Sequence, residues 1–240
     1  MVSTLSQQWY CEKKVDLALQ FPGVEPPSPA MEIGTEGHAA LEKGATPITR
    51  EEIEASLQRD ERLTLFEFPM EGRWDEIPIW GRPDLVQFEG RSVRLLMEFK
   101  FSRRSDLFPS QQTQANLYGW LLQQNHFAID ALLCAVAIFP PERAITKTLP
   151  PDLIERLLEG TERLRAKTSR LGMSLLRQEG EFTLHLFPFR PKLAERNLKW
   201  AVDYWQGKRA PESNASVNKC RICRFNAEAL CDRALSPFTA

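Results

Sequence analysis

The sequence has no long apolar segment. Its longest apolar run, Ala131–Phe139, is far shorter than the about 20 residues that a membrane-spanning helix needs. The first residues do not join a basic stretch to an apolar one, so no secretory signal is expected. Internal repeats and low-complexity tracts are also missing. With 26% charged and 10% aromatic residues among its 240, the chain has the composition of a folded domain that needs no disulfide bonds. We therefore expect a cytoplasmic, single-domain protein with no membrane partner.

Net charge is almost absent as well, at −1, but the charges are unevenly distributed. Nine basic and three acidic residues lie in Arg190–Arg224, and five basic residues and one acid lie in Arg91–Arg104. By contrast, Glu25–Glu76 holds 13 acidic and 5 basic residues. Basic stretches of this kind are typical of surfaces that bind a phosphate backbone, and solvated helix faces are the alternative. The neutral total therefore does not exclude nucleic acid.

The apolar pattern predicts alternating helices and short strands. Helices are expected over Ser6–Gln20, Met31–Lys43, Ser110–Gln124, Pro151–Gln178 and Leu193–Gln206. Strands are expected over Leu63–Pro69, Gly81–Phe88, Ser92–Phe101, Ala131–Phe139 and Phe182–Phe187, and the apolar run Ala131–Phe139 suits a strand buried on both faces. This order predicts an α/β fold built on a single central sheet.

Two acidic residues stand at positions that a pair of neighbouring strands would bring together. Asp84 belongs to the segment Gly81-Arg82-Pro83-Asp84, and Glu98 lies with Lys100 near the end of the next predicted strand. Converging carboxylates repel each other unless a cation lies between them, and oxygen ligands suit Mg²⁺ or Mn²⁺. Lys100 shares a strand face with Glu98 and can stabilise a charged transition state. The alternative is a salt bridge on an edge strand.

Two predicted helices carry further candidates. His38 follows Gly34-Thr35 on the second helix and could add a nitrogen ligand to a site formed by Asp84 and Glu98. Gln114 and Tyr118, four residues apart on one helix face, could position a phosphate or a water. Taken alone, each of these side chains would be interpreted as part of an ordinary helix surface or core.

The five cysteines separate into a group and a single residue. Cys220, Cys223 and Cys231 have the spacing of metal ligands in a chain without a secretory signal. Three thiolates leave one coordination position open, which Cys11 could fill, whereas Cys134 falls in the apolar strand and is expected in the core. Four cysteines suit either zinc or an iron–sulfur cluster, and the spacing does not decide between them.

In this order, the motifs resemble the RecB-like branch of the PD-(D/E)XK nucleases, and in particular the CRISPR-associated RecB-family exonucleases. The resemblance extends from Ser6 to Cys231. It implies a restriction-endonuclease-like core, a central mixed sheet flanked by helices, and an iron–sulfur region that joins the two ends of the chain. The nuclease core would occupy about residues 31–140 and a helical region about 150–210. The iron–sulfur region would combine about 6–20 with 211–240.

The resemblance also implies roles for individual residues. The metal ligands would be His38, Asp84, Glu98 and the Phe99 carbonyl, Lys100 would be the catalytic lysine, and Gln114 and Tyr118 would position DNA or the attacking water. A [4Fe–4S] cluster would be held by Cys11, Cys220, Cys223 and Cys231. Two departures from the family pattern concern the cluster: Cys11 is followed by Glu12-Lys13, where relatives usually have Pro-Arg, and the gap between Cys223 and Cys231 is longer than usual.

The expected function is a Mg²⁺- or Mn²⁺-dependent exonuclease that acts on single-stranded DNA ends or overhangs. The family implies that it trims DNA fragments for CRISPR spacer storage, in complex with spacer-integration proteins. A repair or phage recombination exonuclease with the same site is one alternative. The other is a non-catalytic DNA-binding adaptor of an integration complex, which would have no need of a buried acid–lysine pair.

Overall fold

The computed structural model describes residues 1–25, 29–42, 49–142, 152–178 and 180–239. The strands are β1 (Arg62–Phe66), β2 (Met70–Trp74), β3 (Ile77–Gly81), β4 (Leu85–Glu89), β5 (Ser92–Phe101), β6 (Leu133–Phe139), β7 (Ser174–Gln178) and β8 (Phe182–Pro188). The main helices are α1 (Val2–Gln20), α2 (Pro29–Glu42), α3 (Arg50–Gln58), α4 (Pro109–Gln124), α5 (Leu153–Leu171) and α6 (Pro191–Trp205). Two short helices, α7 (Val217–Arg221) and α8 (Arg224–Ala227), follow.

Six strands form one mixed sheet in the order β1-β4-β5-β6-β8-β7. β5 and β6 pair in parallel, and α4 makes the crossover between them, whereas the other neighbours pair antiparallel. Every residue of β6 is buried, as the apolar run predicts. β2 and β3 form a separate hairpin that packs on α4.

Helices cover both faces of the sheet. Apolar side chains of α1, α4 and α6 pack on one face in a core that includes Leu117, Leu121 and Leu198. α5 covers the opposite face through Leu157 and Leu164. A mixed sheet between helical layers confirms the predicted α/β class. No helix among the described residues is long and apolar enough to cross a membrane.

The predicted helix Pro151–Gln178 is wrong in its last part, because α5 ends at Leu171 and Ser174–Gln178 is strand β7. Gly172 has a φ of +78°, the left-handed conformation that ends a helix, so the chain reverses there although the apolar pattern continues. The region 150–210, which was expected to be helical, therefore also contributes strands β7 and β8 to the six-stranded sheet. Pro151 itself is outside the described residues.

The predicted strand Gly81–Phe88 is wrong at its start. Gly81 ends β3 and Leu85 begins β4, and the three residues between them turn the chain from the hairpin into the main sheet. Pro83 has no amide hydrogen for a strand ladder, which is consistent with its place in this turn. Apart from Gly81 at the end of β3, neither strand of the hairpin was expected from the pattern, and α3 was not expected either. Lys43, the predicted end of the second helix, lies outside the described residues.

Candidate functional site

Strand register brings three acidic residues together at the same end of three neighbouring strands, β1, β4 and β5. Phe66 of β1 pairs with Leu85 of β4, and Leu85 pairs with Met97 of β5. The next residues along these strands are Glu67, Asp84 and Glu98, which therefore fall side by side. The predicted approach of Asp84 to Glu98 follows from this antiparallel pairing.

Asp84 is the most connected residue of the group. Its Oδ2 accepts a hydrogen bond from the backbone N–H of Phe99 at 2.5 Å, which fixes the carboxylate against β5. Its Oδ1 lies 3.1 Å from Nδ1 of His38. Burial lowers the pKa of His38, but the hydrogen bond and the charge of Asp84 outweigh burial and leave that pKa above its ordinary value. The carboxylate thus orients the imidazole ring in the site.

Helix α2 lies close to β5, and this contact places His38 beside Asp84. Gly37 is buried, and a Cβ placed on it would lie 2.1 Å from Cε2 of Phe101. No larger residue fits between the helix and the ring as they stand. The glycine before His38 therefore sets the distance between α2 and the site.

Glu67 belongs to the site, although the sequence reasoning did not select it. His38, Glu67 and Asp84 each offer a ligand atom, and these atoms lie within 4.8 Å of one another. Glu67 has a φ of +47°, and its backbone N–H donates to the Asp84 carbonyl at 3.3 Å. The predicted strand Leu63–Pro69 had placed Glu67 inside a regular strand, and only its register opposite Asp84 could have identified it.

Glu98 is buried, with 1% of its surface exposed, and it forms an ion pair with Lys100. Its Oε2 accepts from Lys100 Nζ at 2.9 Å, whereas its Oε1 is buried and accepts no hydrogen bond from any described residue. Burial, and then the charge of Asp84, raise the pKa of Glu98 to about 7. Burial lowers the pKa of Lys100, but the charges of Glu98 and Asp84 outweigh it, so the ammonium group stays protonated.

Tyr118 and Gln114 extend from α4 toward the same centre. Tyr118 is 4% exposed, and burial followed by the charge of Glu98 raises the pKa of its hydroxyl, while a hydrogen bond with Gln114 lowers it. Its ring packs against Gly81, where a Cβ would lie 2.6 Å from Cε1. The predicted pair is therefore brought together, with a protonated phenol beside the carboxylates.

The donor set fits a hard divalent cation. Such an ion takes mainly carboxylate oxygens and tolerates an imidazole nitrogen, which Glu67, Asp84 and His38 supply within 4.8 Å of one another; Glu98 lies beside this group and is not part of it. The free Oε1 of Glu98 is the observation that tests the fit, because a buried carboxylate oxygen without a partner is costly. A cation at this end of the strands would satisfy that oxygen and offset the repulsion between Glu98 and Asp84.

The cysteines selected from the sequence line a second cavity. Cys11, Cys220, Cys223 and Cys231 all face a volume of about 220 Å³ between α1 and the C-terminal segment. Burial raises the pKa of the Cys231 thiol, and the charges of the other three sulfurs add to this rise. Cys134 is fully buried in β6, as predicted.

The backbone of α1 is irregular where it borders this cavity. α1 has non-helical dihedral angles at Cys11, with φ −167° and ψ 107°, so the helix is interrupted there. Among the described residues, no three cysteine sulfurs lie within 4.8 Å of one another, whereas a tetrahedral zinc site, with Zn–S bonds of about 2.3 Å, holds its sulfurs about 3.8 Å apart. Among the described residues, the four cysteines therefore line one cavity without forming a close cluster of metal ligands.

Comparison with known proteins gives one finding on the fold. No protein-family model matches the chain, and no curated protein matches its sequence. The crystal structure of SSO0001 is similar, with a TM-score of 0.50 over 96% of this chain and 85% of that chain, at 13% sequence identity. At this identity, the similarity supports the α/β architecture alone.

Proposed function

We propose that this protein is a divalent-metal-dependent nuclease that hydrolyses phosphodiester bonds in DNA. The observation that carries the proposal is the unsatisfied Oε1 of Glu98, buried beside Asp84 and paired with the protonated Lys100. Buried polar atoms without a partner are uncommon, and a cation is the partner that a carboxylate oxygen beside a second carboxylate would take. Metal-dependent hydrolysis of a phosphodiester uses a metal ion, a nearby cation and a means of orienting water, and the residues gathered here would supply each.

Glu67, Asp84, Glu98 and His38 would hold one or two Mg²⁺ or Mn²⁺ ions, with the Phe99 carbonyl as a further oxygen donor. The bound metal would act as a Lewis acid and lower the pKa of a coordinated water. Lys100 would stabilise the negative charge that develops on the phosphate, because its ammonium stays protonated in this acidic environment. Tyr118 and Gln114 would orient the substrate or the attacking water by hydrogen bonds.

The cysteine cavity supports a [4Fe–4S] cluster as a second resident group, held by Cys11, Cys220, Cys223 and Cys231. Thiolate sulfur is the ligand type that such clusters require. The cluster would join α1 to the C-terminal segment. In this position it has a structural task whether or not it changes its redox state.

The substrate we propose is single-stranded DNA at ends or overhangs. The processing of DNA fragments for CRISPR adaptation, with spacer-integration proteins as partners, is the biological setting that the motif resemblance favours. A repair or recombination exonuclease would use the same residues. The chemistry at Asp84, Glu98 and Lys100 is common to both settings.

Cleavage of end-labelled single strands with Mn²⁺, and with a chelator in its place, tests the activity. We expect cleavage only with the metal, and a loss of about 100-fold or more in Lys100→Ala and Asp84→Ala, the range observed when one group that stabilises a transition state is removed. Labels at the 5′ and 3′ ends report polarity, and a circular single strand reports internal cutting.

Lys167→Ala is the matched control, because Lys167 is an exposed lysine on α5 outside the two basic stretches. It should cleave like the wild type. Equal cleavage by wild type and Lys100→Ala would contradict the nuclease assignment. DNA binding without metal-dependent cleavage in the wild type would instead favour the adaptor alternative.

A further inference from the structure

A row of side chains leads away from Lys100 across the sheet. Lys100 of β5 pairs with Ile138 of β6, Ile138 pairs with Thr183 of β8, and Thr183 pairs with Arg177 of β7. Residues directly opposite each other on neighbouring strands point to the same face. Three strand spacings of about 4.8 Å place the Cα of Arg177 about 14 Å from that of Lys100.

The segment that follows β5 passes over this row and is held there at Ser105. The Ser105 carbonyl lies 2.7 Å from Nε2 of His185, a buried residue of β8. Arg177 Nη2 donates to the Ser105 hydroxyl at 3.4 Å. The segment between Lys100 and α4 is therefore fixed by side chains from the two strands at the far edge of the sheet.

The row and the segment border an open cleft of about 380 Å³. Its walls include the guanidinium groups of Arg103 and Arg177 and the hydroxyls of Ser102, Ser105 and Thr183. Arg103, Arg104 and Arg177 are exposed and form no ion pair within the part of the chain that the structure describes.

Two carboxylates also line this cleft. Glu181 forms an ion pair with Arg156 of α5, which also pairs with Asp152. Glu142 is the second carboxylate. Arg103 and Arg177 are the cationic groups that would attract an anion beside the hydroxyl row, opposed by the charge of Glu142.

We infer that this cleft is a phosphate-binding groove for the DNA strand that enters or leaves the active site. Guanidinium groups match the geometry of phosphate oxygens, and hydroxyl groups add further donors. At a distance of about 14 Å from Lys100 across the sheet, Arg177 would bind the strand a few nucleotides from the bond that is cut. This inference rests on the proposed nuclease function and gives the strand a path along β6, β8 and β7.

Salt-dependent binding tests the groove independently of cleavage. Fluorescence anisotropy with a labelled single strand of about 16 nucleotides is measured in chelator for the wild type, Arg103→Ala and Arg177→Ala over a salt series. Each lost phosphate contact should lower the slope of log K against log salt by about 0.7 for a single strand. Arg163→Ala is the control, because Arg163 is exposed on α5, which covers the opposite face of the sheet. Unchanged slopes in both groove variants would overturn the inference.

Substrate length gives a second readout with Mn²⁺. Arg177→Ala should raise KM severalfold for the longer strand and leave KM for a dinucleotide unchanged, because the dinucleotide does not reach Arg177. An equal effect on both substrates, or on neither, would contradict the groove. If the wild type binds with the expected slopes but cleaves no DNA under any metal condition, the proposed nuclease function fails while the groove stands.

Discussion

The properties of Glu98 indicate that this site favours a bound cation. Its carboxyl is inside the protein, its pKa is raised to about 7, and one of its oxygens has no donor among the described residues. In the metal-free protein, ionisation of Glu98 therefore opposes folding. A divalent cation would reverse this effect by favouring the ionised form.

The pKa of Glu98 predicts how the stability of the metal-free protein varies with pH. Because the folded-state pKa is raised from 4.5 to about 7, the stabilisation from Glu98 is complete below about 4.5 and is lost as the pH rises through about 7. We expect Glu98→Gln to remove this loss, which is on the order of 1–3 kcal/mol since one pKa unit corresponds to about 1.4 kcal/mol. Thermal unfolding in chelator at pH values on either side of this window measures it.

Glu195→Gln serves as the comparison, because Glu195 is exposed on α6 and its removal should leave the pH profile unchanged. Parallel profiles for wild type and Glu98→Gln would show that the buried carboxyl does not titrate in this window. Mn²⁺ should stabilise the wild type more than Glu98→Gln at the higher pH.

At the scale of elements, the position of α2 decides whether His38 reaches Asp84. The helix approaches β5 at Gly37, where the ring of Phe101 occupies the space that a side chain would need. That ring stacks on Phe139, with ring centroids 5.3 Å apart, so it is not free to move aside. The helix would have to shift to accommodate a larger residue.

Gly37→Ala is therefore expected to move α2 and to weaken Mn²⁺ binding, with a smaller loss of overall stability. Gly34→Ala is the matched control, since a Cβ at Gly34 meets nothing within 4 Å. Alanine there should stabilise the helix by about 0.5–1 kcal/mol and leave metal affinity unchanged. Calorimetric titration with Mn²⁺ and thermal unfolding measure both effects, and equal Mn²⁺ affinity in the two variants would contradict this account of Gly37.

The elements that the sequence predicted well are those whose burial is uniform. The apolar run in β6 and the second half of α4 are almost continuously buried, and both elements were predicted close to their observed bounds. β7 was misassigned because its short pattern continues that of α5, and only the turn at Gly172 separates them. The carboxylates on β4 and β5 could be paired from sequence, whereas Glu67 required the register of β1, which depends on contacts between distant segments.

At the scale of the molecule, protein contacts alone already join α1 to the C-terminal segment. Glu12 is fully buried and accepts hydrogen bonds from Arg209 Nη1 at 2.5 Å and from Nη2 at 2.7 Å. Lys13 N–H donates to the Glu212 carbonyl at 2.9 Å. Arg209 also lies over the ring of Trp200, 4.4 Å from its centroid. Because the carboxylate of Glu12 is fully buried, removal of its partner is costly, by about 3–5 kcal/mol.

Because Glu12 and Arg209 join α1 to the C-terminal segment, loss of the proposed cluster is expected to destabilise the protein without unfolding it. Cys220→Ala should lose the visible absorbance of iron–sulfur and about one cluster's iron per chain, and its unfolding temperature should fall. The sheet should still fold, because Glu12 and Arg209 hold α1 in place. Absorbance spectra, iron analysis and circular dichroism of the purified protein measure this outcome. Cys134→Ala, which removes the thiol in β6, should keep the absorbance, and an unchanged iron content in Cys220→Ala would contradict the cluster.

The contacts of α1 also have a consequence for the order in which the chain folds. Gln8 donates to the carbonyl of Ala201 and accepts from Trp205, partners that lie more than 190 residues further along the chain. During synthesis, α1 leaves the ribosome long before those partners exist, so its polar groups wait in solvent until α6 has been made. Because such distant contacts form late and slowly, these hydrogen bonds are among the last to form, although α1 can pack on α4 as soon as that helix has been made.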